Sequence, residues 1–145
     1  LNIGSAFISV ASSDSGRARR TALTAYVEAN DIAADSEAYN VAKAKIDAEH
    51  PYVYATMDDV LDHIDHIVAV AGINHVGIGS DFDGVGDSLP MGFKDVSQYP
   101  ALIDGLISRG YSESAIEKIL GGNLMRVWRA NEAHALALRL ATQAT

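Results

Sequence analysis

The sequence predicts an α/β fold: part of a (β/α)8 barrel of the TIM type, helix-rich in this stretch, rather than a whole barrel. Helical patterns alternate with short apolar runs that read as strands. One such run, Ile73-Asn74-His75-Val76-Gly77-Ile78-Gly79-Ser80-Asp81-Phe82-Asp83-Gly84-Val85, passes from apolar strand straight into a carboxylate and an Asp-Gly turn. A (β/α) barrel offers a carboxylate at its reactive rim in this way. The chain has 145 residues, whereas a complete barrel takes ~250. Only about two strands are visible, and two strands cannot close a barrel.

The elements follow in order. Leu1, Ile3, Phe7, Ile8 and Val10 cluster around Gly4 and Ser5, which predicts a strand end and its loop. Residues 15–55 are rich in Ala, Glu, Asp, Lys and Arg, with no proline before Pro51. They predict one or two helices inserted between barrel elements. Thr56 is a good N-cap, Asp58 and Asp59 suit the first turn of the helix it opens, and Gly72 ends that helix. Its apolar stripe is Met57, Val60, Leu61, Ile64, Ile67, Val68 and Ala71.

Residues 75–81 predict a strand after a very short connection, followed by a loop from Phe82 to Ser97. Residues 97–141 predict closing helices. Pro100 begins one that runs to about Arg109 and stops at Gly110. Ser112 caps a short second one, broken at Gly121 and Gly122. Asn123 can cap the last, which carries Leu124, Val127, Trp128, Leu136 and Leu140.

Composition narrows the function. With 48% hydrophobic residues the chain can bury one core, so one domain or part of one is expected. A net charge of −8 argues against a nucleic-acid or anionic-membrane partner. Arg17, Arg19 and Arg20 form the one basic cluster, which reads as a solvated helix face. Without cysteine there are no disulfides or thiolate metal sites, so a metal would need His, Asp or Glu. No apolar run reaches the ~18 residues that suggest a membrane span. The chain opens on Leu1, inside what reads as a strand and with no signal-peptide pattern. A true N-terminus elsewhere is therefore expected, and the compartment is not legible.

Asp81 is the first candidate for chemistry. At a strand period of two, Gly77, Gly79 and Asp81 share one face, and the glycines clear space beside the carboxylate. Such a carboxylate beside a metal-bound water can take its proton and return it to a leaving group. The other reading is that Asp81 caps the following turn. Asp83 reads as a turn residue of the Asp-Gly pair.

His63 and His66 lie at i and i+3, but on the polar side of their helix. Asp59–His63 and Asp62–His66 spacings suit exposed charge pairing there. The zinc helix His-Glu-x-x-His needs i and i+4 histidines. His75 stands at the opposite end of its strand from Asp81, and His50 and His134 have no local partners to recommend them. The glycines at 77 and 79 fit neither a dinucleotide fingerprint nor a P-loop.

These residues carry a resemblance. Asp62-His63-Ile64-Asp65-His66-Ile67, then Ala71-Gly72-Ile73-Asn74-His75-Val76-Gly77-Ile78-Gly79-Ser80-Asp81-Phe82-Asp83-Gly84-Val85, closely resembles the membrane (renal) dipeptidase family, metallopeptidase family M19. Gly92-Phe93-Lys94-Asp95-Val96-Ser97-Gln98-Tyr99-Pro100 resembles the segment after that family's last barrel strand. Gly121-Gly122-Asn123-Leu124-Met125-Arg126-Val127-Trp128 resembles its closing helix, and Asn2-Ile3-Gly4-Ser5-Ala6-Phe7-Ile8-Ser9 the end of its seventh strand.

The resemblance implies an amidohydrolase-type barrel that hydrolyses dipeptides, many of them with a C-terminal D-residue, through two zinc ions bridged by hydroxide. Residues 1–145 would be the C-terminal portion of one barrel domain, and 73–85 its last strand and catalytic turn. Asp81 would be the acid–base carboxylate and Phe7 would line the substrate pocket. The loop after Asp83 would shape specificity. The family's zinc ligands lie on earlier strands and have no counterpart in this chain. Expected partners are a dipeptide, the N-terminal part of the barrel and a second copy in a homodimer. The alternatives are a non-catalytic barrel fragment serving as a structural or assembly piece and, fitting less well, another amidohydrolase-type barrel.

Overall fold

Helix formers and well-placed caps turn most of the chain into helix. The computed structural model describes residues 1–143. Along it run α1 (Ser5–Ile8), α2 (Val10–Ala29), α3 (Glu37–Glu49), α4 (Met57–Ala71), α5 (Tyr99–Ser108), α6 (Glu113–Glu117) and α7 (Asn123–Gln143). Single 3₁₀ turns occupy Ile73–His75 and Val96–Gln98. No helix among the described residues is long and apolar enough to cross a membrane.

α4 organises the core. The Thr56 side chain accepts from the Asp59 N–H while Asp59 Oδ2 accepts from the Thr56 N–H at 2.7 Å, a reciprocal capping box. At the other end Gly72 takes φ 87°, a conformation that a Cβ would strain. Val60, Leu61 and Ile64 are buried, with Met57, Ile67 and Val68 packed at the margin. Ala71, expected in that stripe, is exposed.

α5 brings Leu102 and Leu106 against this face. Gly105 permits the approach, since a Cβ there would stand 2.6 Å from Leu61 Cδ1. Arg109 then bridges the two helices by donating to Asp62 (2.6 Å) and Asp65 (2.5 Å) on α4. Ile3, Val76, Phe93 and Ile119 complete the core, and Phe82, Phe93 and Tyr99 meet edge to face.

Three expectations need correction. Residues 5–10 are helical, not a loop: Ser9 interrupts α1 and caps α2 by accepting from the Ser12 N–H. The strand expected over 75–81 has no ladder: His75 closes a 3₁₀ turn, Val76 is extended, and Asp81 is left-handed. It meets residues 1–2 through one parallel bridge between Asn2 and Gly79, with the Gly79 N–H on the Leu1 carbonyl at 2.8 Å and the Leu1 ammonium on the Gly77 carbonyl at 2.7 Å. Paired on one side and over so short a span, it does not form a regular strand; the described residues contain only isolated bridges, here and between Thr56 and Met91.

Asn123 does not cap α7 from outside. It is the first residue of α7, directly after a π-helical turn over Lys118–Gly122, buried, and its Nδ2 donates to the carbonyls of Ile73 and Val76 at 2.8 Å each. Together with Arg126, which donates to the Asn74 carbonyl at 2.7 Å, it fastens the root of α7 to the backbone leading to Asp81. Beyond Asn123 the helix stands exposed, with Trp128 58% and Leu136 57% accessible.

Candidate active site

Asp81 sits where the extended segment turns. Its φ of 59° is left-handed, a conformation Asp tolerates better than most side chains but one that still costs about 1 kcal/mol. The backbone carbonyl of Asp81, not its side chain, closes the turn by accepting from the Gly84 N–H at 3.0 Å. The carboxylate instead accepts from Asn2 Nδ2 at 2.6 Å. Asn2 is itself oriented, because its Oδ1 accepts from the Gly4 N–H at 3.0 Å. Among the described residues the carboxylate takes no backbone N–H, so the turn-capping role does not describe what the side chain does.

Asp83 lies in the turn as expected, with its side chain exposed and unbonded among the described residues, and Asp81 at the head of that turn takes the left-handed φ. The glycine at 79 makes room for the chain itself, as a Cβ there would lie 3.4 Å from the Leu1 carbonyl oxygen.

Phe7 is on α1, 63% exposed. Its ring edge is 3.0 Å from the point a Cβ on Gly4 would occupy, and Asn2 Oδ1 is 3.4 Å from that same point. Gly4 therefore lets Phe7 and Asn2 close around it, and the run Phe7, Gly4, Asn2, Asp81 is contiguous. Phe7 borders a cleft of about 500 Å³ that it shares with Arg17, Arg20, Tyr52 and Val85. It also borders one of about 340 Å³ with Ser13, Asp14, Arg17 and His63.

The loop after Asp83 is tied down by Asp87, a residue with no signal in the sequence. Asp87 accepts from Tyr54 Oη and Lys94 Nζ, each at 2.8 Å, and Lys94 lies 4.0 Å over the Tyr54 ring. Lys94 and Tyr54 hold the Asp87 carboxyl below the usual range, and Asp87 in turn raises the Tyr54 phenol. The Ser5 N–H adds a bond to the Ser88 carbonyl at 2.8 Å.

His63 and His66 do not make the expected ion pairs among the described residues: Asp62 is taken by Arg109, and Asp65 by Arg109 and Tyr111 Oη (2.6 Å). A guanidinium held across α4 and α5 offers a fixed fork that a solvated imidazole does not. Burial and then Asp65 push the Tyr111 phenol up to about 12. Those same hydrogen bonds outweigh burial at Asp65 and lower it. Among the described residues no three His, Asp or Glu side chains stand close enough to hold a metal ion.

Asn2, between two apolar residues, carries no local signal of its bond to Asp81, and Asn123, after Gly-Gly, reads as a cap rather than as the latch it forms.

Comparison with known proteins places this geometry in context. The family model described as membrane dipeptidase (peptidase family M19) matches residues 4–142. An uncharacterized dipeptidase of Schizosaccharomyces pombe is 51% identical over 85 residues, 58% of this chain and 20% of that protein. Dipeptidase 3 of Homo sapiens is 49% identical over 78 residues, 54% of this chain and 16% of that protein. The crystal structure of the probable dipeptidase PvdM from Pseudomonas aeruginosa superposes with a TM-score of 0.60 at 28% identity, covering 88% of this chain and 35% of that one. The chain thus matches a fifth or less of these curated relatives and about a third of the solved structure.

Proposed function

This chain belongs to the membrane dipeptidase family, peptidase family M19, and on that premise we propose that it supplies part of the active site of an enzyme that hydrolyses dipeptides, with Asp81 as the acid–base carboxylate. The observation that carries this reading is the Asp81 side chain itself. It is exposed, not spent on its own turn, and held by a single oriented donor, Asn2 Nδ2 at 2.6 Å. A carboxylate so placed can take the proton of a water attacking the scissile carbonyl and hand it to the departing amine. The second oxygen stays open for that transfer while Asn2 fixes the plane of the group. Phe7 lines the pocket beside it, and the loop from Val85 to Ser88 forms the rim.

Placement in the whole protein follows the same reading. Residues 1–145 form the C-terminal portion of a barrel of the amidohydrolase kind, with 73–85 at its last strand, 15–55 an insertion and 97–141 the closing helices. The parallel contact of residues 1–2 with 77–79 supports adjoining strands. The resemblance also implies two zinc ions, and the described residues do not fit them: no ligand set converges near Asp81. The steps assigned here are therefore those of Asp81, Asn2 and Phe7 alone.

One observation favours a second reading, in which the chain is an assembly piece without chemistry. Leu124, Trp128, Leu136 and Leu140 leave α7 with exposed apolar surface suited to covering further polypeptide. Chromatography of dipeptide and tripeptide digests by the enzyme carrying this chain separates the two. The catalytic reading expects dipeptides cleaved and tripeptides spared; no cleavage of any dipeptide would leave the assembly reading.

A further inference from the structure

Gly84 completes the Asp-Gly pair of the Asp81 turn, a position where glycine usually serves to reach the left-handed backbone region. That reason does not hold here. Gly84 lies outside the left-handed region, whereas Gly86, two residues on, takes φ 56° with open space where a Cβ would stand. The backbone at 84 therefore accepts an alanine. What a Cβ there would meet is the Asp81 carboxylate, 3.2 Å from its Oδ1 and 3.5 Å from its Cγ.

Neither side of that contact is free to give way. Asp81 Oδ2 accepts from Asn2 Nδ2 at 2.6 Å, and Asn2 is held in turn by the Gly4 N–H at 3.0 Å. The Gly84 backbone is fixed by its own N–H, which donates to the Asp81 carbonyl at 3.0 Å. A Cβ at 84 needs a few tenths of an ångström more room. That room comes only from turning the carboxylate off Asn2 or from stretching the turn.

We propose that Gly84 is a positioning residue for proton transfer at Asp81. By carrying no Cβ it leaves Oδ1 uncovered and lets Asn2 hold the carboxylate in one plane, so that Oδ1 is the oxygen that exchanges the proton. This rests on the catalytic reading of Asp81 and adds which oxygen reacts and what keeps it open.

The test compares G84A, D81N and G84A/D81N in the enzyme carrying this chain, by kcat and KM for Ala-Ala and by Tm. G84A is expected to lower kcat about tenfold with KM within about twofold. Its Tm should hold or rise slightly, because the backbone accepts alanine and the unfolded chain loses freedom. In the D81N background the same substitution should change residual turnover by less than about twofold, since Gly84 acts through the carboxylate. A lowered Tm with a further loss of turnover in both backgrounds would overturn the proposal and make Gly84 a residue of the turn alone.

The two readings fail separately. A G84A kcat within about twofold of wild type, beside an inactive D81N, would sink the positioning role and keep Asp81 as the acid–base group. Undiminished turnover of D81N would sink the catalytic reading, and the positioning role with it. A crystal structure of G84A supplies a readout independent of turnover: the Asp81 carboxylate is expected to be displaced and its 2.6 Å contact with Asn2 lengthened. A carboxylate left in place would overturn the proposal.

Discussion

Replacing Asn123 with Ala removes two hydrogen bonds at once, and its cost can be worked from the geometry. Both bonds leave one nitrogen, Nδ2, and reach the carbonyls of Ile73 and Val76 at 2.8 Å. The amide orientation is thereby fixed, since a flipped side chain would face two acceptors with a third. The Val76 bond is buried, so its carbonyl would be left without water or partner, at about 2 kcal/mol. The Ile73 carbonyl is partly open to solvent and costs about 1 kcal/mol.

The sum is about 3 kcal/mol, or a fall in Tm of roughly 9 °C for a chain of this size. Thermal unfolding followed by circular dichroism, with urea titration for the free energy, measures it. Asn123→Asp is expected to be at least as harmful at pH 7, where a carboxylate faces both carbonyls. A loss below about 1 kcal/mol for Asn123→Ala would refute the latch between α7 and the segment leading to Asp81.

Three further outcomes follow. Arg19 and then Lys43 draw the Asp47 carboxyl down to about 2. Its folded pKa lies below the unfolded one, so its contribution is present above about pH 4 and fades as pH falls toward 2. Screening of this partly exposed pair limits it to roughly 1 kcal/mol, and Asp47→Asn flattens that part of an acid titration of stability. Arg109→Gln is expected to cost about 1–2 kcal/mol in urea unfolding at low salt and less in 1 M NaCl. It strips the bridge to Asp62 and Asp65 and leaves those acids side by side. Phe7→Ala should change stability by no more than about 0.5 kcal/mol, since the ring is 63% exposed, yet raise KM for dipeptides severalfold. A large Tm drop with unchanged KM would make Phe7 a packing residue instead.

What the sequence disclosed, and what it concealed, follows the range of the interactions. Local signals were legible: the Thr56 cap, the Gly72 stop, Pro100 within the first turn of α5 and the Ser112 cap all stand where residue chemistry puts them. The spacing of Val60, Leu61 and Ile64 likewise identified a buried stripe before any partner was known. Pairing between distant segments was not legible. Whether residues 75–81 form a strand depends on what lies beside them, and a single bridge to Asn2 supplies no ladder.

The same limit governs the site. Asp81 stood out because a carboxylate ends an apolar run, but its partner Asn2 is 79 residues away and looks ordinary. The histidines at 63 and 66 suggested pairs with Asp59 and Asp62. A guanidinium from another helix, invisible to helical spacing, takes Asp62 instead.

The most direct measurement is the turnover of Asp81→Asn in the enzyme that carries this chain. Asn is nearly isosteric and tolerates the left-handed φ of 59° that Asp81 adopts, so the turn should survive. Loss of the acid–base group is expected to lower kcat for dipeptides by about 10³-fold, with Tm within a few degrees of wild type. Turnover within about twofold of wild type would contradict the assignment of Asp81 as the proton-transferring carboxylate.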